Sequence, residues 1–210
     1  MAPEKTEEKK QTESLSEEAA QEIAEARKWY EEAQIMWAQG RSLDAMARYE
    51  EALNVFLKHK LYKEAANAVE KIGDIQFWRG NFKKALKPYK MALDICEEFG
   101  DEIGAAVMAE KIIYTYKKMN EYEKALPYLY RILELAEKFG DAHRAARMLA
   151  GIGDVKSLTG EYQTAIEAYE LAAKIYRGLG SLEQAKLTEE ALEALRNKLD
   201  SGETSSESSG

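Results

Sequence analysis

The chain has 210 residues, 45% of them apolar and 32% charged, with a net charge of −8, 3 prolines and a single cysteine. That balance suits a folded protein with a charged surface and excludes a disordered chain. No apolar run approaches the ~20 residues needed to span a bilayer, and the opening MAPEKTEEKK lacks the apolar stretch of a signal peptide.

Residues 1–18 hold six Glu and three Lys, and residues 200–210 hold Asp200, Glu203 and Glu207, so each end contributes −3 and the body only −2. A near-neutral body gives a phosphate backbone no electrostatic footprint, so neither nucleic acid nor membrane is an expected partner. Cys96 stands alone, which leaves no intrachain disulfide or cysteine zinc site and points to a reducing, cytoplasmic setting.

In chain order, residues 1–13 have no apolar content to bury and read as a disordered tail. Ser14 with Glu17 has the spacing of a capping box that opens a first helix running to about Gln39. Sliding the chain by about 40 residues then aligns WAQGRSLDAMARYEEAL, FWRGNFKKALKPYKMAL, YKKMNEYEKALPYLYRIL and SLTGEYQTAIEAYELAA without a gap. Gly40, Gly80, Asn120 and Gly160 share one column, and Ala45, Ala85, Ala125 and Ala165 another. Tyr49, Tyr89, Leu129 and Tyr169 form a third, and Ala52, Ala92, Ile132 and Ala172 a fourth. A second break follows at Gly100-Asp101, Gly140-Asp141 and Gly180-Ser181, with Lys60-Leu61 in its place in the first unit. The units run about 22–61, 62–101, 102–141 and 142–181. Ser181 with Gln184 then opens a closing helix over 182–199, which turns Glu189, Glu190 and Lys198 to water. Residues 201–210 read as a disordered Ser/Glu tail, with phosphorylation as a lesser reading.

The Gly/Asn column suits a helix C-cap, where the left-handed conformation is needed. Apolar residues recur at helical spacing on both sides of it, as in Val69, Ile72 and Phe77, then Phe82, Leu86, Tyr89 and Leu93. A turn this short forces an antiparallel hairpin, and hairpins that cannot bury both faces must stack into a solenoid. The small columns at Gly73/Gly153 and Ala85/Ala165 are expected where two helix backbones approach. Pro88 and Pro127 fall early in second helices, where a mild kink at most is expected.

The order Gly73, Gly80, Phe82, Ala85, Tyr89, Ala92, repeated as Gly153, Gly160, Tyr162, Ala165, Tyr169, Ala172, resembles the tetratricopeptide repeat signature over roughly residues 22–180. The longer unit and the missing proline after the second helix resemble the long-unit subgroup found in kinesin light chains, spindle-orientation adaptors and bacterial peptide sensors. In the third unit Ile113, Leu129 and Ile132 depart from the pattern, which reads as a volume exchange within one core layer. The resemblance implies an all-α, right-handed solenoid of four helical hairpins with a C-terminal capping helix.

Nothing in the chain spells out chemistry. His59 and His143 lack the close Cys, His or Asp companions of a metal site, and Cys96 lies on an apolar stripe with Leu93 and Phe99. No phosphate loop, nucleophile elbow or zinc-binding helix motif occurs, so neither enzyme activity, cofactor nor metal is expected.

The resemblance places the first helix of each unit on the concave face. It assigns Arg27, Tyr30, Gln34 and Trp37 to that face, then Asn67, Glu70, Asp74, Phe77 and Trp78. Val107, Glu110, Tyr114, Lys117 and Lys118 follow, and then Arg147, Asp154 and Ser157. Trp37 and Phe77 are equally well read as core, and Trp78 is the better candidate for exposure. Aromatics and both signs of charge suit an extended peptide or amphipathic helix, so an adaptor that holds another protein is expected. The chaperone-type carboxylate clamp is absent, since its positions read Tyr30, Gln34 and Lys71. The other reading is a self-assembling structural protein that uses the solenoid ends and a convex face with Tyr128, Tyr130 and Tyr176.

Overall fold

A computed structural model describes residues 17–201; the expected terminal tails (Ser201 apart) and the Ser14 capping box lie outside them. Among the described residues there are nine α-helices and no strand. They are α1 (Glu17–Ala38), α2 (Ser42–Lys58), α3 (Tyr62–Trp78), α4 (Phe82–Glu98), α5 (Glu102–Lys118), α6 (Leu126–Phe139), α7 (Ala142–Leu158), α8 (Tyr162–Gly178) and α9 (Leu182–Asp200). A 3-10 turn, Tyr122–Ala125, precedes α6. Helices that follow one another in the chain pack together, which makes the fold a solenoid of four hairpins closed by α9.

Every reversal uses the same device. Gly40, Lys60, Gly80, Gly100, Asn120, Gly140, Gly160 and Gly180 all have positive φ. The amide after each one donates back across the last turn, as Arg41 N–H does to the Met36 carbonyl at 2.9 Å and Leu61 N–H to the Phe56 carbonyl at 2.8 Å. This double closure satisfies carbonyls a helix end would leave bare, and the donating residue is already the N-cap of the next helix. Lys60 and Asn120 hold that conformation with a Cβ, at φ 56° each.

A main core cluster runs from α1 to α8, and a smaller one joins α8 to α9; Ala45, Ala85 and Ala125 in the first and Ala165 in the second are all at 0% exposure. The glycine column works differently from the sequence expectation. A Cβ on Gly73 would stand 2.6 Å from the Tyr89 ring, and one on Gly153 2.7 Å from the Tyr169 ring. Glycine there seats an aromatic ring flat on the helix and does not serve backbone-to-backbone approach. In the third unit Ile113 stands in the glycine column and Leu129 in the tyrosine column, and both are buried. A ring exchanged for a smaller side chain thus goes with a larger residue on the facing helix.

Two other local expectations change. Pro127 does more than kink its helix: the α-helix begins only at Leu126, after the 3-10 turn, because proline supplies no amide for the Glu123 carbonyl, which accepts from the Leu126 N–H instead. Ser181 is the N-cap of α9, but its hydroxyl makes no capping hydrogen bond. Asp101 and Asp141, one bond longer on a similar backbone, do accept from the Gly104 and Arg144 amides at 2.9 Å. The inner face of α9 buries Ala185, Leu192 and Leu195; on its other side the partly exposed Glu189 pairs with Arg177 at 2.5 Å.

Candidate functional site

The odd-numbered helices α1, α3, α5 and α7 share one face, and the residues expected in the groove gather along it. Clefts between neighbouring helices are lined by Arg27, Tyr30 and Asn67, by Asp74, Phe77, Trp78 and Tyr114, and by Glu110, Tyr114, Lys117 and Arg147. The helical register puts these side chains in rows because each unit repeats the previous one.

The charges on this face are largely matched to each other. Arg27 pairs with Glu64 at 3.1 Å, Asp74 with Lys111 at 2.5 Å, Arg147 with Glu110 at 2.6 Å and Lys117 with Asp154 at 3.7 Å. Glu70 adds a second carboxylate to Lys111 at 2.7 Å, and Lys71 lies 3.5 Å from Asp74. All of these bridges except Lys71–Asp74, which lies within α3, join one odd helix to the next, so the mixed charge of this face also staples the repeats.

Asp74 is the sharpest case. It is 8% exposed, and Oδ1 accepts from the Tyr89 hydroxyl at 2.8 Å as well as from Lys111. Burial works against the Lys111 charge, but hydrogen bonds to Asp74 and Glu70 outweigh it and hold its pKa above the ordinary lysine value. Burial, reinforced by the Asp74 carboxylate, raises the Tyr89 hydroxyl well above its usual range. Asp154 receives the Tyr169 hydroxyl at 2.9 Å in the same way, but with its side chain half exposed.

Aromatic side chains remain. Trp78 is 76% exposed and Tyr114 51%. Phe77 lies between them, half-buried against the core, with ring centroids 6.1 Å from Trp78 and 5.4 Å from Tyr114. Trp37 is also half-buried against the core, and Tyr30 meets Tyr49 edge-on at 5.1 Å. Gln34, Asn67 and Val107 are exposed and Ser157 is half-buried; Lys118 lies over the Tyr114 ring at 5.2 Å.

Sequence reasoning missed Lys111, Glu64 and the exposed Ile103. The signal for the first two is a recurring 37-residue separation of opposite charges, as in Arg27–Glu64, Asp74–Lys111 and Glu110–Arg147.

The groups with reactive potential are engaged elsewhere. Burial pushes the Cys96 thiol up to about 11. His59 Nε2 lies 2.6 Å from Glu22 and ties α1 to the end of α2, while His143 meets the Tyr176 ring edge-on. Among the described residues no three His, Cys, Asp or Glu side chains cluster as a metal site, and no helix is long and apolar enough to cross a membrane. The aromatic convex patch changes too: Tyr176 is buried, Tyr128 packs near Tyr116, and Tyr130 alone of the three is exposed.

A family model described as soluble NSF attachment protein matches residues 6–136, and one described as tetratricopeptide repeat matches residues 104–178. No curated protein matches the chain. Among solved structures it is similar to BtubC from P. vanneervenii, with 17% identity, 87% of this chain and 90% of that one covered, and a TM-score of 0.56. A putative kinesin light chain from Podospora anserina is 13% identical over 84% of this chain and 97% of its own, with a TM-score of 0.54. A Rap protein complexed with competence and sporulation factor is 15% identical, with 86% of this chain and 66% of that one covered and a TM-score of 0.51.

Proposed function

The chain belongs to the tetratricopeptide-repeat family, within it to the sequences that the soluble NSF attachment protein model describes, and on that premise we propose that it is an adaptor. It holds a peptide or helical segment of another protein along the shared face of α1, α3, α5 and α7. The observation that carries this reading is the run of Trp78, Phe77 and Tyr114, two of them more than half exposed on a groove whose charges are otherwise paired. Tryptophan and tyrosine supply much of the energy at protein interfaces, because a large ring is desolvated for the loss of few rotamers. A groove stapled by inter-repeat bridges is already in shape, so little is lost to ordering when a ligand arrives. The Rap protein, similar in fold, is seen with a factor bound, which supports a binding role. With its cysteine buried and both histidines engaged, we assign the chain no reaction and no cofactor, and a cytoplasmic location.

The test is affinity capture from a native extract, with the wild-type chain beside Trp78→Ala/Tyr114→Ala. Both residues are exposed, so circular dichroism and the urea midpoint should stay unchanged while the captured protein is lost. Equal capture by both would refute the groove and move the site to the solenoid ends.

A further inference from the structure

Helix α4 begins with an unusual charge pattern. Its first three turns carry Lys83, Lys84, Lys87 and Lys90 and no acid, although cations at a helix N-terminus oppose the macrodipole and disfavour the helix. The amine of Lys90 is engaged, lying over the rings of Tyr116 and Tyr128. The side chains of Lys83, Lys84 and Lys87, and of Arg79 in the turn before them, are exposed and have no partner among the described residues.

The pattern belongs to this unit alone. The columns of Lys83, Lys84 and Lys87 read Leu43, Asp44 and Ala47 in the first unit and Glu123, Lys124 and Pro127 in the third, where Lys124 pairs with Glu121. In the fourth they read Gln163, Thr164 and Glu167. Nothing in the repeat architecture therefore requires lysines here.

The basic stretch follows the aromatic run across the turn between α3 and α4. Phe77 meets Phe82 at 5.1 Å, and Phe82 leads directly into Lys83; Trp78 leads directly into Arg79. At the far end Lys118 covers Tyr114, which meets Phe77. A cationic edge thus borders an exposed tryptophan on a chain whose net charge is −8.

We infer that Arg79, Lys83, Lys84 and Lys87, together with Trp78, form a docking surface for an acidic protein segment that carries an apolar side chain. The apolar side chain covers Trp78 while carboxylates of the same segment reach the lysines, so one ligand satisfies both halves. Charge complementarity selects the sign of the partner and speeds its encounter. A membrane or a nucleic acid is disfavoured, because either presents a broad anionic surface to a molecule that is negative overall. The inference deepens the adaptor reading and rests on it for Trp78.

The experiment is a random-peptide display selection on the immobilised full chain, followed by fluorescence-anisotropy titration of the enriched peptides at two salt concentrations. Enriched sequences should combine Asp or Glu with a large apolar residue and bind more weakly at high salt. The variant Lys83→Glu/Lys84→Glu/Lys87→Glu should weaken them by at least about tenfold, each exposed pair contributing a few-fold. It should melt no lower than wild type, since acids suit the start of a helix. Peptides that lose affinity on Trp78→Ala but ignore the charge reversal would overturn the basic rim and leave the groove standing. Neutral or basic consensus sequences would do the same. No enrichment at all would overturn both, and lysine-dependent binding to phosphatidylserine vesicles without any peptide binding would replace the acidic segment by a membrane.

Discussion

Tyr49, Tyr89 and Tyr169 occupy one column of the repeat, but their hydroxyls meet different fates. Tyr89 and Tyr169 donate to Asp74 and Asp154 at 2.8 and 2.9 Å, whereas the buried Tyr49 hydroxyl has no hydrogen-bond partner among the described residues, and the residue in the aspartate column is Gln34. Burying a hydroxyl without a hydrogen bond costs about 1–3 kcal/mol, so Tyr49→Phe should leave stability unchanged or raise it by about 1 kcal/mol. Tyr89→Phe removes a hydrogen bond to a buried carboxylate and should cost about 1.5–3 kcal/mol. Tyr169→Phe should cost less, because Asp154 can turn to water. Gln34→Asp should supply the missing acceptor, and its benefit should vanish in the Tyr49→Phe background. Urea unfolding with a common slope gives all four values. If Tyr49→Phe destabilised the chain as much as Tyr89→Phe, the Tyr49 hydroxyl would be as well satisfied as that of Tyr89 and the hydrogen-bond argument would fail.

Four further outcomes are expected. Lys60→Gly and Asn120→Gly should each stabilise by about 1 kcal/mol in thermal unfolding, because both residues hold positive φ with a Cβ. Gly73→Ala should cost about 1–3 kcal/mol by driving a Cβ into the Tyr89 ring, and adding Tyr89→Leu should recover part of that loss in a double-mutant cycle, as the Ile113/Leu129 pair suggests. Hydrogen bonds from Lys58 and His59 hold the Glu22 carboxyl below its ordinary value of 4.5. Its stabilisation is therefore complete above that pH and lost as pH falls through the lower folded value, so Glu22→Gln should flatten the acid limb of a melting-temperature profile. With its thiol pushed up to about 11, Cys96 should react with a thiol reagent at neutral pH only as fast as the chain opens, and rapid labelling of the native protein would contradict its burial.

The architecture is legible in the sequence because it is local. Helix-forming composition, apolar spacing and a left-handed residue at each break act within one hairpin, and four copies in register repeat the same message. Gly40, Gly80, Gly100, Gly140, Gly160 and Gly180 could be placed at helix ends from the spacing alone, and each has the positive φ that end requires. Trp78 could be read as exposed because it stands one residue round from a half-buried neighbour. What Gly73 faces, whether Ser181 closes its cap, and where Asp74, Glu110 and Arg147 send their charges were not legible. Those depend on distances between helices, and a Tyr89 ring or a Lys111 amine from the next unit reaches the site only once the stack has formed. The sequence by itself therefore determined the repeat, its turns and which face the groove residues share. Only the tertiary structure decided which of them are exposed and which are paired, because ion pairing between helices is a contact between units that no single unit encodes.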